Sequence, residues 1–172
     1  MIMNNDIYTI IAATNRKDSN SYLVGLQYQQ KMAVLGIEAK LYSLENLDLN
    51  QRSPSMMAFE QEALIPTQKF IIIAPEYNGS YPGVLKSLID LSAIKEAWPG
   101  KKALLTGVAT GRGGNIRGLE HLTGTLNYLN VFVHPNRLPL SSIHEKMDLK
   151  TGIIEKQTSD AIDLQIADFL KF

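Results

Sequence analysis

Short apolar runs alternate with longer segments of helical period, and that alternation is the dominant pattern of the chain. Ile7-Tyr8-Thr9-Ile10-Ile11-Ala12-Ala13 reads as a first strand, buried on both faces because apolar residues occupy consecutive positions and not every second one. From Asn20 to Leu35 the period is helical, with Ser19, Asn20 or Ser21 placed to cap the amino end and Gly36 to stop the helix. Ile37 to Tyr42 is a second strand. Residues 43–57 look irregular, and Met57 to Leu64 forms a short helix. Lys69 to Ala74 is strand three, followed by a helix over Pro82 to Ile94. Lys102 to Ala109 is strand four, residues 116–129 are helical, and Val131-Phe132-Val133 is strand five. A last helix, Gln157 to Leu170, carries Ile162, Ile166 and Phe169 on one face. Residues 136–157 match no recognisable pattern.

Strands alternating with helices imply an α/β protein, a parallel sheet covered by helices on both sides. Five strands favour a flavodoxin-like three-layer sandwich of strand order 2-1-3-4-5 over a six-stranded dinucleotide fold. Residues 1–172 are expected to form a single domain, and 45% hydrophobic residues give it ordinary globular composition. Lys plus Arg and Asp plus Glu both number 17. This balance gives no general attraction to nucleic acid or to an anionic membrane, and it eases self-association. The chain has no cysteine, which excludes disulfides, thiolate catalysis and Cys-based metal centres, so redox chemistry would need a cofactor. His121, His134 and His144 have no metal-ligand spacing, so no metal site is expected. The start, Met-Ile-Met-Asn-Asn-Asp, shows no signal peptide, and no apolar run approaches the ~18 residues of a membrane span. The default expectation is cytoplasmic.

Three loops leave the carboxyl ends of strands one, three and four, where open parallel sheets bind ligands. The first, Thr14-Asn15-Arg16-Lys17-Asp18-Ser19-Asn20-Ser21, brings hydroxyls, an amide, a guanidinium and free N–H groups to the positive end of a helix, which suits a phosphate. It has neither the G-x-x-x-x-G-K-[ST] loop nor G-x-G-x-x-G, so one phosphate is a simpler guest than a pyrophosphate. By itself it also fits a solvated, capped turn. The second, Pro75-Glu76-Tyr77-Asn78-Gly79-Ser80-Tyr81-Pro82, suits a flat hydrogen-bonding ring, or a plain strand-to-helix turn. The third, Thr110-Gly111-Arg112-Gly113-Gly114-Asn115, lets backbone approach a ligand closely, or is merely a flexible connection. Together they fit a mononucleotide, FMN more than others. Ser80 lies outside any G-x-S-x-G, which argues against a hydrolase nucleophile.

The stretches Thr14-Asn15-Arg16…Ser19-Asn20-Ser21, Pro75 to Lys86 with Ile89-Asp90, and Gly111…Gly113-Gly114 resemble the NADPH-dependent FMN reductase family, over about residues 7–135. Ala13-Thr14 stands where that family often has Gly-Ser, and Ala109-Thr110 where it often has Ser. The resemblance implies that Thr14, Arg16, Ser19 and Ser21 hold the FMN phosphate, with Asn20 assisting. It implies that Glu76, Tyr77 and Asn78, beside Pro75, line the isoalloxazine. Thr110, Gly111 and Gly113 would offer backbone N–H groups to its pyrimidine edge.

The implied activity is ping-pong transfer: NADPH or NADH reduces FMN, then a quinone, free flavin or similar acceptor takes two electrons. No side chain is assigned as catalytic. Asn78, Ser80 and Arg112 are the candidates for substrate contact, with Arg16 and Lys17 available to the nicotinamide cofactor's phosphates. An electron carrier of flavodoxin type and a non-enzymatic flavin sensor are the competing classes. The resemblance also implies a homodimer or homotetramer, with Tyr81, Leu91, Ile94 and Trp98 as interface candidates.

Overall fold

The computed structural model of the chain describes residues 6–148, 150–152 and 154–172. The expectation that concerns Met1–Asn5 lies outside them. Strands β1 (Tyr8–Ala12), β2 (Ala39–Ser43), β3 (Lys69–Pro75), β4 (Lys102–Val108) and β5 (Phe132–Val133) pair in parallel in the order β2-β1-β3-β4-β5, the flavodoxin-like order. In β3, Phe70, Ile72 and Ala74 face one core while Ile71 and Ile73 face the other. A strand lying between two helical layers has no wet face, which is why its sequence is unbroken apolar.

Helices α1 (Asn20–Val34) and α7 (Lys156–Lys171) cover one side of the sheet, packing Val24, Tyr28, Ile162 and Phe169 over Ile10 and Ile71. Ser19 caps α1 by accepting the Tyr22 N–H at 3.1 Å. Gly36, at φ 75°, ends it as expected, in a left-handed conformation open to glycine. Helices α2 (Pro54–Phe59), α3 (Gly83–Leu91) and α5 (Ile116–Tyr128) cover the other side with Met56, Phe59, Leu85, Leu88, Leu122 and Leu126.

Three features depart from the expected elements. Residues 43–57 are not irregular throughout. Ser53 accepts the Met56 N–H at 3.2 Å and Pro54 occupies the first turn, so α2 starts ahead of Met57 before passing into a π-helical turn at Glu60–Leu64.

The helix expected over Pro82–Ile94 breaks at Ser92. There the Ser92 hydroxyl donates to the Ile89 carbonyl and accepts from Trp98 Nε1, both at 2.7 Å, and the Glu60 carboxylate takes the Ala93 N–H. A short α4 (Ile94–Ala97) follows. Trp98 is completely buried against Phe70, with ring centroids 5.3 Å apart. It is a core residue of its own subunit, so its place among the interface candidates is withdrawn. Ile94, in contrast, is 44% exposed.

The third departure is at the sheet edge. Beyond β5 the chain passes through His134–Arg137 and pairs again with β4 as β6 (Leu138–Leu140), followed by α6 (Ile143–Lys146). The fifth strand position is thus filled by two short pieces. Pro139 hid the second piece: proline argues against an interior strand but is tolerated on an edge, where its missing N–H faces outward.

Candidate functional site

The first loop is built around a buried hydroxyl. Thr14, at the end of β1, is fully buried, and its Oγ1 accepts the Arg16 N–H at 3.2 Å. The same oxygen lies 2.5 Å from the hydroxyl of Tyr77 in the second loop. The Arg16 guanidinium sits over the Tyr77 ring, 4.1 Å from its centroid. No carboxylate among the described residues pairs with Arg16. At the start of α1 the amides of Asn20 and Ser21 have no acceptor within the helix, and the first turn carries no acidic residue. Ser21 is only 1% exposed, yet its Oγ has no hydrogen-bond partner among the described residues. A buried, unpaired hydroxyl costs about 1–3 kcal/mol unless something arrives to satisfy it.

The second loop is a turn and a wall at once. Asn78 and Gly79 both have positive φ, 52° and 79°, and Tyr77 and Ser80 exchange N–H···O=C bonds at 2.9 and 3.1 Å. This is a type I′ turn, the geometry that the Asn-Gly pair favours. The Arg117 guanidinium packs against it, 3.6 Å from where a Gly79 Cβ would stand. Ser80 turns toward α5, with its Oγ 2.9 Å from His121 Nδ1.

The third loop is tied down on both sides. Asn115 Nδ2 donates to the Ala74 and Pro75 carbonyls at 2.9 and 3.1 Å, and its N–H donates to the Glu76 carboxylate at 3.2 Å. On the other side Ala109 N–H donates to Leu140 O, and Ser142 N–H donates to Gly111 O at 3.0 Å. The C=O and the next N–H of a trans peptide point in opposite directions. The Arg112 N–H therefore faces away from Ser142. Among the described residues the amides of Thr110, Gly111, Arg112 and Gly113 have no acceptor. The loop folds back over β4 so closely that a Cβ on Gly107 would stand 2.1 Å from the Gly114 carbonyl oxygen.

Two adjoining cavities result. The first, of about 230 Å³, is lined by Arg16, Lys17, Ser19, Asn20 and Ser21, facing Pro75, Glu76, Tyr77 and Thr110. The second, of about 330 Å³, lies between Asn78-Gly79 on one wall and Thr110, Gly111, Arg112 and Gly113 on the other. Glu76 and Thr110 border both. Of the residues expected in the site, Thr14 lies behind Tyr77 and Ser80 lines neither cavity; the rest are brought together.

A larger cavity, of about 480 Å³, opens at the amino ends of β1 and β2 near Ile7, Ile37 and Lys40. Among the described residues its lining includes no helix amino terminus, so chemistry and not size chooses the site. Asn115 is the site residue that sequence reasoning passed over. The only signal is its position directly before α5, where asparagine commonly caps a helix; at φ 65° its side chain makes no cap and bonds to β3 instead.

The arrangement fits FMN. The orphaned Ser21 hydroxyl and first-turn amides supply donors for a phosphate, and the free amides of the third loop supply donors for a carbonyl edge.

Comparison with known proteins agrees. A model of the family described as NADPH-dependent FMN reductase matches residues 8–145. A protein named NAD(P)H-dependent FMN reductase from Pseudomonas aeruginosa is 25% identical over 95% of this chain and 94% of its own length. A quinone reductase from Escherichia coli K12 is 30% identical over 75% of this chain and 72% of its own. The solved structure of a flavoenzyme NAD(P)H:(acceptor) oxidoreductase from Paracoccus denitrificans superposes with a TM-score of 0.78, at 20% identity, covering 96% of each chain.

Proposed function

Because the chain belongs to the NADPH-dependent FMN reductase family, we propose that it forms one flavin-binding domain that passes electrons from NADPH or NADH to a quinone, free flavin or similar two-electron acceptor. The chemistry supplied by bound FMN is acceptance of a hydride from the nicotinamide and delivery of two electrons to the second substrate, in alternation at one site.

The chain's own residues bind and orient. Arg16, Ser19, Asn20 and Ser21, with Thr14 behind them, take the phosphate at the positive end of α1. The backbone from Pro75 to Asn78 and the loop from Thr110 to Gly113 enclose the ring. The free N–H groups of that loop would donate to the ring's carbonyl edge and favour negative charge there, in the manner of an oxyanion hole. Asn78 and Arg112, at the outer cavity, are placed to meet the nicotinamide cofactor or the acceptor. No side chain is needed as proton donor or acceptor for the hydride itself.

The observation that carries this reading is the buried, unpartnered Ser21 hydroxyl at a helix start that also faces Arg16. The test is an absorbance spectrum after FMN addition and desalting, repeated without oxygen on adding NADPH. Retained flavin bands that bleach are expected. Retained bands that stay coloured would reassign the protein to an electron carrier or a flavin sensor. No retained flavin would end the reading.

We also propose a homodimer or homotetramer, with Tyr81, Leu91 and Ile94 at the contact. Light scattering on the same preparation should give a multiple of the 19.1 kDa chain mass, and the monomer mass would refute it. Among the described residues no helix is long and apolar enough to cross a membrane, and we place the protein in the cytoplasm.

A further inference from the structure

We infer that the Tyr77 side chain belongs to the phosphate end of the site, where it positions Thr14 and Arg16 for the anion, and that it does not line the flavin ring. The inference rests on the FMN reading above and refines it.

Tyr77 leaves from the second loop but spends both ends of its side chain on the first. Its ring face is covered by the Arg16 guanidinium at 4.1 Å, so that face is not free to stack on a ligand. Its hydroxyl lies 2.5 Å from Thr14 Oγ1, and the residue lines the cavity at the start of α1. Stacking engages the guanidinium through its flat face and leaves its edge N–H groups to donate, so the ring can hold Arg16 while Arg16 holds an oxyanion.

The protons can be counted. Two hydroxyls carry two protons, and one is used in the bond between them. Thr14 Oγ1 also accepts the Arg16 N–H, at 3.2 Å, which consumes no hydroxyl proton. With Thr14 donating to Tyr77, the tyrosine keeps its own O–H for an acceptor in the cavity that Tyr77 lines, and an anion at the start of α1 is such an acceptor. Holding a flexible arginine and a loop hydroxyl in place beforehand lowers the ordering cost of binding.

Riboflavin has the ring and ribityl chain of FMN without the phosphate, so the ratio of the two affinities reports on this end of the site alone. Fluorescence titrations of both flavins against wild type, Tyr77→Phe and Tyr77→Leu separate the assignments, with thermal melts to match folding.

Tyr77→Phe keeps the ring under Arg16 and removes the hydroxyl. It should weaken FMN by roughly tenfold, the scale of one charge-assisted hydrogen bond, and leave riboflavin unchanged. Tyr77→Leu should weaken FMN further, again sparing riboflavin. In a Thr14→Val background Tyr77→Phe should add nothing, because the two hydroxyls act as a pair. Equal losses for both flavins would return Tyr77 to the ring, and unchanged FMN affinity in both variants would remove it from the site. Either result leaves the reductase reading intact. A wild type that binds neither flavin would overturn that reading and this inference with it.

Discussion

Arg16 is the residue on which the phosphate assignment turns most sharply. The two arginines away from the site are paired with carboxylates, Arg52 with Glu60 and Arg137 with Glu120, both within 2.7 Å. Arg16 pairs with no carboxylate among the described residues and rests on an aromatic face instead. A cation kept free beside a helix start is worth little to the fold and much to an anion. Arg16→Ala should therefore weaken FMN by about 1.5–3 kcal/mol while leaving the melting temperature where it was. Equilibrium titration beside a thermal melt checks both halves, and an unchanged affinity would take Arg16 out of the site. Arg16 was readable from its loop. The role of Asn115 was not, because an asparagine ahead of a helix looks the same in sequence whether it caps that helix or clamps the neighbouring strand.

Among the elements, the joint between the π-helical turn and the end of α3 is held by a buried carboxylate. Glu60 is 1% exposed, and its carboxylate takes Nη2 of Arg52 at 2.6 Å, Nη1 at 3.1 Å and the Ala93 N–H. Burial alone would push this carboxyl up, but the Arg52 guanidinium and the Ala93 amide outweigh it and hold it below the ordinary carboxylate range. A group with a depressed folded pKa binds protons more tightly when unfolded. Its contribution is therefore complete above the unfolded value, about 4.3 for glutamate, and fades as pH falls toward and through the folded one. Glu60→Gln should lower stability at neutral pH and flatten the decline in melting temperature on the acid side. An acid limb as steep as that of wild type would show that other carboxylates govern it.

At the other end of the same turn Lys101 Nζ donates to the Leu64 and Ile65 carbonyls, while burial pulls its ammonium down to about 8. These contacts cross between elements that sequence pattern treats as separate. That is why the turn was expected as a plain short helix and the break at Ser92 was not foreseen.

At the scale of the whole molecule, the parallel sheet and its order were legible because burial on two faces leaves no room for alternation. Ile71, Ile72 and Ile73 form a short, β-branched run of the kind a central strand needs. The edge was harder to read. A strand paired on one side only needs few apolar residues and tolerates proline, so Leu138-Pro139-Leu140 carried too little pattern to be seen. Yet this edge sets the shape of the site: Leu140 and Ser142 hold Ala109 and Gly111, and through them the run of free amides.

The third loop is held by residues that follow every strand from β1 to β4 in the chain, and this gives the site an order in time. The ladders that join β1, β3 and β4 draw no bonds from β6, whereas the third loop and the residue after β4 draw backbone bonds from the segment that β6 begins. Refolding should thus restore secondary structure first and capture flavin afterwards, so that quenching of added FMN lags the far-ultraviolet signal. If the two rise together, the edge and the centre fold as one unit. A ribosome would meet the same sequence of events, and the nascent chain would remain blind to its cofactor until Leu140 had emerged.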